Sequence, residues 1–203
     1  MPSITAVIFD LGRVLVRVDF TRGLMRRFAA QSHYSDEQIL EFVFREPLFK
    51  DFSKGKLDIN QFYESFTARF NLDILFNDFS VIWCDIFAPM EGMEDLVEDI
   101  AASHKIGLLS DIDPLHWSYL IQNYVFLKRF SQPVLSYQIG ALKPSPKCYR
   151  AAAESVDEPP GKCLFIDDRQ INILGAKKSG MQAILFKNPA SLKQELRQLH
   201  IIS

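Results

Sequence analysis

With 203 residues, 48% of them apolar and 24% charged, the chain is long enough for one sizeable core, or a core carrying a smaller insert. A formal net charge of −2 gives no electrostatic grip on nucleic acid or an anionic membrane, and no apolar run is long enough to cross a bilayer. Cys84, Cys148 and Cys163 lack metal-ligand spacing and lie in apolar-patterned segments. They read as buried, reduced thiols of a cytoplasmic protein, and an apolar strand starting at Ile4 leaves no room for a signal peptide.

Ile4 to Asp10 (ITAVIFD) predicts a first strand, β-branched and apolar, that ends at an acidic residue. From residue 19 to 88 the pattern is helical alone. Phe20 to Gln31, Asp36 to Glu46, Asn60 to Phe70 and Phe76 to Phe87 carry apolar residues at three- and four-residue spacing. Ser35 with Gln38 predicts a capping box. Most aromatic residues fall here, so the insert is expected to have its own core, with Phe49 and Phe52 packed inside it near Lys54 and Gly55. Further apolar runs follow at Ile106 to Ser110, Pro133 to Tyr137, Cys163 to Ile166 and Met181 to Phe186, separated by helical stretches. Such alternation predicts an α/β fold with a parallel sheet covered on both faces. Ser145-Pro146 predicts a helix start just after Lys143, and Gly180 after Lys177 and Lys178 a helix stop.

Three strands run directly into polar clusters: Asp10-Leu-Gly, Ser110-Asp111 and Asp167-Asp168. Ligands of open α/β sheets bind beyond the carboxyl ends of the strands, so these clusters predict one site. Singly, each has a plainer reading. An aspartate after a strand is often a helix cap, Ser110 a turn residue and Lys143 a surface lysine. Together, clustered carboxylates would repel one another unless a cation intervened.

Four pieces now stand in order: IFDLGRVLV at 8–16, LLSDID at 108–113, ALKPSP at 141–146 and FIDDRQINILGA at 165–176. In spacing and strand context they resemble the four motifs of the haloacid dehalogenase superfamily. The likeness is greatest to bacterial sugar-phosphate (glucose 1-phosphate) phosphatases whose motifs read FDLGNV and FDDNxxNIxGA. The resemblance covers the whole chain. It implies a Rossmann-like parallel-sheet core at 1–18 and 89–203, and a small all-helical cap at 19–88 inserted after the first strand. It also implies Mg²⁺-dependent hydrolysis of a small phosphorylated metabolite. Asp10 would be the nucleophile. Asp10, the Gly12 backbone carbonyl and Asp168 would hold the metal, with Asp167 orienting them or binding directly. Lys143, Ser110 and the backbone N–H of Asp111 would hold the phosphoryl group. The charges agree with this, because a phosphate dianion repels a carboxylate nucleophile unless cations compensate.

The chain departs from that pattern in two ways. Phosphatases of the superfamily usually carry a second aspartate, the acid and base of the reaction, where this chain has Gly12. A positioned acid or base is worth roughly 100- to 10,000-fold. Either the leaving group is intrinsically good, or Asp19, Asp111 or a water takes over. Asp111 also stands where relatives commonly have asparagine, and an ionised carboxylate aimed at the phosphate would weaken binding unless it is paired. Arg13, at the variable position of the first motif, could reach a substrate carboxylate or phosphate from the cap side. Asn172 could hydrogen-bond across the fourth motif or be an ordinary helix residue. Helix packing is the expectation for His116 and Trp117 and a solvated helix face for Arg26 and Arg27, while His33, His104 and His200 carry no role. The competing functions are a phosphate-binding or regulatory protein without turnover, and a 2-haloacid dehalogenase, whose chemistry has no need of the paired Asp167 and Asp168.

Overall fold

The computed structural model describes residues 3–20, 28, 34–45 and 47–203. In chain order its elements are β1 (Ala6–Phe9), β2 (Val16–Val18), α1 (Asp36–Arg45), α2 (Pro47–Ser53), α3 (Ile59–Phe70), α4 (Phe76–Cys84), β3 (Phe87–Pro89), α5 (Met93–Ala101), β4 (Lys105–Ser110), α6 (Pro114–Asn123), β5 (Val134–Leu135), α7 (Ser136–Ile139), α8 (Pro146–Ser155), β6 (Cys163–Asp167), α9 (Gln170–Lys178), β7 (Gln182–Leu185) and α10 (Pro189–Gln198).

β1 is the centre of a five-stranded sheet of order β5-β4-β1-β6-β7, parallel throughout. Every residue of β1 is buried. Their alternation divides them between two cores: Val7 and Phe9 join the cluster containing α5 and α10, while Ala6 and Ile8 join the one containing α8. β6 divides the same way, with Leu164 and Ile166 on one side and Cys163 and Phe165 on the other. Fully burying a Val, Leu, Ile or Phe side chain is worth roughly 1.5–3 kcal/mol, so the doubly covered sheet follows from these short apolar runs. The three cysteines are buried and unpaired, and burial pushes the Cys84 thiol up to about 12.

The helical insert has a separate aromatic core. Phe62, Phe66 and Phe70 line one face of α3 at four-residue spacing, and Phe52 stacks on Phe62 with ring centroids 4.1 Å apart. Phe49 packs edge-on against Trp83, so both α2 aromatics belong to this core. The Ser35–Gln38 capping box forms: the Ser35 N–H donates to Gln38 Oε1 (2.9 Å) and the Gln38 N–H to Ser35 Oγ (3.4 Å). A second box, Asp58 with Gln61, starts α3.

Several expectations need correction. The helix over Phe20–Gln31 falls almost wholly outside the described residues, as do Arg26, Arg27 and His33. The helix expected to reach Phe87 stops at Cys84; Phe87–Pro89 instead forms β3, antiparallel to β2, with Val16 opposite Pro89 and Val18 opposite Phe87. The run 133–137 is a strand only over Val134–Leu135, and α7 begins at Ser136. There the Ser136 hydroxyl accepts the Ile112 N–H (2.9 Å) and donates to the Ser53 carbonyl of α2 (2.7 Å), tying the insert to the sheet. Ser145 heads α8 with Pro146 at its first position but makes no side-chain capping bond.

α4 meets α6 through a buried polar contact. The imidazole of His116 stacks on Trp83 (5.2 Å, 4°), with Nδ1 2.6 Å from Asp113 Oδ2 and Nε2 2.9 Å from the Trp83 carbonyl oxygen. Asp113 also accepts the Trp83 indole N–H (3.3 Å) and, by its other oxygen, the His116 N–H (2.9 Å). His116 therefore does pack between helices. Among the described residues no helix is long and apolar enough to cross a membrane.

Candidate active site

The carboxyl ends of β4, β1 and β6 lie side by side, which brings Ser110, Asp10 and Asp167 to one edge of the sheet. Asp10 follows β1 directly, and its N–H donates to the Ile166 carbonyl (2.8 Å), so β6 fixes its backbone. The chain then turns sharply. The Leu15 and Val16 N–H groups return to the Leu11 carbonyl (2.8 and 3.1 Å), and the Arg13 N–H donates to Val16 O (2.7 Å). Gly12 lies inside this turn, where a Cβ would stand 3.3 Å from Val18 Cγ2 of β2. A side chain at this position would need Val18 to give by a few tenths of an ångström.

Lys143 enters from the loop before α8 and is buried. Its ammonium donates to Asp10 Oδ1 (2.6 Å), Asp167 Oδ2 (2.8 Å) and the Leu109 carbonyl (3.3 Å). Its backbone N–H donates to Asp111 Oδ1 (3.0 Å). Asp111 is therefore paired: its carboxylate ties β4 to the Lys143 loop. Asp167 is fully buried and saturated, accepting also from the Arg169 N–H (2.8 Å) and from the Asn172 amide at both oxygens (3.0 Å each). Asn172 is thus part of the cluster. Ser110 is buried at the end of β4.

Oxygens of Asp10, Asp167 and Asp168 lie within 4.8 Å of one another. Two like charges about 4 Å apart repel by about 4 kcal/mol at an effective dielectric near 20, and one lysine cannot offset three carboxylates. Burial, reinforced by the charge of Asp167, pushes Asp10 up to about 7 against the opposing pull of Lys143. Burial likewise raises Asp111, and burial followed by the Asp167 charge raises Asp168. Burial alone would lower Lys143, but Asp10, Asp167 and Asp111 together outweigh it and hold the ammonium well above its usual range. Three hard oxygen donors with surplus negative charge suit a divalent cation such as Mg²⁺.

Arg13 adopts a left-handed backbone (φ 63°), which costs a non-glycine residue about 1–2 kcal/mol. Its guanidinium reaches Asp168 Oδ2 at 4.0 Å with the side chain 56% exposed, and exposed pairs are worth at most about 1 kcal/mol.

A family model described as haloacid dehalogenase-like hydrolase matches residues 4–180. The chain belongs to the haloacid dehalogenase-like hydrolases. As a member of this enzyme family it is 23% identical to the D-ribitol-5-phosphate phosphatase of Bacteroides thetaiotaomicron over 202 residues, covering 94% of this chain and 95% of that one. It is 30% identical over 190 residues to the phosphatase MT3486 of Mycobacterium tuberculosis, covering 90% and 87%. The hydrolase fold also superimposes on a crystal structure of a family enzyme from B. thetaiotaomicron in complex with magnesium and inorganic phosphate. The TM-score is 0.82 at 23% identity, over 92% of this chain and 96% of that one.

The four expected motifs do converge, with Asp10, Lys143, Asp167 and Asp168 in mutual contact or within a metal's reach. The tie from Asp111 to the Lys143 backbone, the Arg13–Asp168 pair and the Arg169 backbone bond to Asp167 were not foreseen. Only the last had a signal, in that Arg169 immediately follows the acidic pair.

Proposed function

We propose that the protein is a Mg²⁺-dependent phosphomonoester hydrolase working through an aspartyl-phosphate on Asp10. Its substrate would be a small, sugar-type phosphate with a good leaving group. The observation that carries this reading is the buried Lys143 ammonium shared by Asp10 and Asp167, with Asp168 beside them.

Asp10, Asp168 and the Gly12 carbonyl would hold the metal, while Asp167, saturated by Lys143, Arg169 and Asn172, would orient the set rather than bind at full strength. The bound cation would supply the positive charge that lets a carboxylate approach a phosphate dianion. Lys143 fixes Asp10 through Oδ1, leaving Oδ2 to attack phosphorus. The bond from phosphorus to the leaving oxygen breaks as the new bond forms, and its electron pair departs with that oxygen. Ser110, the Asp111 N–H and Lys143 would hold the phosphoryl oxygens as charge shifts. Water then attacks the acyl phosphate, returning Asp10 and releasing inorganic phosphate. The helical insert at 19–88 would act as the cap that selects substrate and limits water.

Because Gly12 offers no proton, the leaving oxygen departs as an anion. The expected result is Mg²⁺-dependent phosphate release from p-nitrophenyl phosphate, lost in Asp10→Asn, with rates falling steeply as leaving-group pKa rises. A flat dependence across aryl and alkyl phosphates would require another acid. The same Gly12 favours one second reading, a phosphate-binding protein without turnover: tight phosphate binding with no release from a broad panel would establish it.

A further inference from the structure

We propose that Arg13 is a specificity-determining residue that reads a second anionic group on the leaving part of the substrate, such as a carboxylate or a second phosphate; the proposal rests on the phosphatase reading above.

Arg13 has a backbone that favours glycine or asparagine, since only these visit the left-handed region at little cost. The side chain itself recovers little of that cost. The guanidinium is more than half exposed, and its contact with Asp168 is at the limit of an ion pair, a kind of contact that contributes little to stability. A left-handed backbone held at a non-glycine residue beside a candidate site is a pointer to function. The turn fixes this conformation through the Arg13 N–H to Val16 O bond, so the side chain leaves from the rim of the acidic cluster and not from its floor.

The charges point the same way. Lys143 is held among Asp10, Asp167 and Leu109 at the floor of the cluster, so its charge acts on the transferred phosphoryl group and not on a distal part of the substrate. Arg13 pairs with Asp168, which would pass its charge to a metal once one is bound, releasing the guanidinium for another anion. Arg169, exposed immediately after the acidic pair, is a second cation close by in the chain. A guanidinium presents paired donors to a carboxylate or phosphate and does so a few bonds from the reacting phosphorus. A neutral sugar phosphate would leave both arginines without a partner in the complex.

The test uses matched pairs that differ only in the distal group: glucuronic acid 1-phosphate against glucose 1-phosphate, and phosphoglycolate against 2-hydroxyethyl phosphate. Turnover with Mg²⁺ is measured for wild type and for Arg13→Asn, which suits the left-handed turn, together with binding to the Asp10→Asn protein by calorimetry. The expected result is a preference of about tenfold or more for the carboxylate member of at least one pair, carried mainly in KM and in the calorimetric affinity. Arg13→Asn should abolish that preference without lowering the melting temperature. Absence of any preference in wild type, or an equal loss on both members of each pair in Arg13→Asn, would overturn the proposal. A drop in melting temperature with the preference intact would make Arg13 structural. Failure to hydrolyse any of these esters or p-nitrophenyl phosphate would instead sink the phosphatase reading, and the calorimetric preference would still decide the role of Arg13.

Discussion

Asp10 and Lys143 hold each other in opposite protonation states at neutral pH only with help from outside. Burial pushes the Asp10 carboxyl from 3.8 up to about 7, so the folded chain binds that proton more tightly than the unfolded one. Its contribution to stability in metal-free protein is therefore full below about 4 and is lost as pH rises through about 7. A divalent cation competes with the same proton. Mg²⁺ affinity, followed by calorimetry, should rise between pH 5 and pH 7 and level off above, with proton release on binding at the lower pH. Affinity independent of pH over that range would mean that Asp10 is not a ligand.

At the scale of elements, the distance between α8 and α9 sets where Lys143 stands relative to Asp167. Tyr149 on α8 donates its hydroxyl proton to the Asn172 carbonyl of α9 (2.8 Å). A Cβ at Gly175 would come within 2.6 Å of that hydroxyl and 2.8 Å of Pro144 Cβ, the residue after Lys143. Gly175→Ala should therefore destabilise the fold by roughly 1–3 kcal/mol. It should also lower kcat more than it raises KM, because the shift is passed to the ammonium that orients Asp10. Denaturant melts and steady-state kinetics check both, and a stable variant with full kcat would contradict the packing argument. The insert is seated with comparable closeness. Gly55, at φ 67°, lies so near α7 that a Cβ would overlap the Tyr137 carbonyl oxygen, while Asp113 and His116 join α4 to α6.

Across the whole molecule, what could be read from the sequence depended on how local its cause was. The sheet was legible because β1 and the first four residues of β6 are apolar at every position, a pattern that double burial demands. The clustering was legible because the first, second and fourth motifs end strands, and parallel strands bring their carboxyl ends together, while Lys143 joins them from the loop before α8. The β2–β3 ribbon was not. Three residues a side carry too little alternation to declare a strand, and Phe87 continued the apolar stripe of α4. Nor could Asp111 be read, since its partner is the backbone of a residue 32 positions away, a contact that only folding creates. For Arg13 the sequence offered a candidate substrate contact, but its left-handed backbone and its nearness to Asp168 come only with folding.

The central claim is that Asp10 carries the phosphoryl group, and the most direct measurement is to trap it there. Turnover of p-nitrophenyl phosphate with Mg²⁺ would be quenched in acid, and the digested protein mapped by mass spectrometry. The account expects phosphate on the peptide containing Asp10, absent from Asp10→Asn. Phosphate on another residue, or none during sustained release, would contradict it.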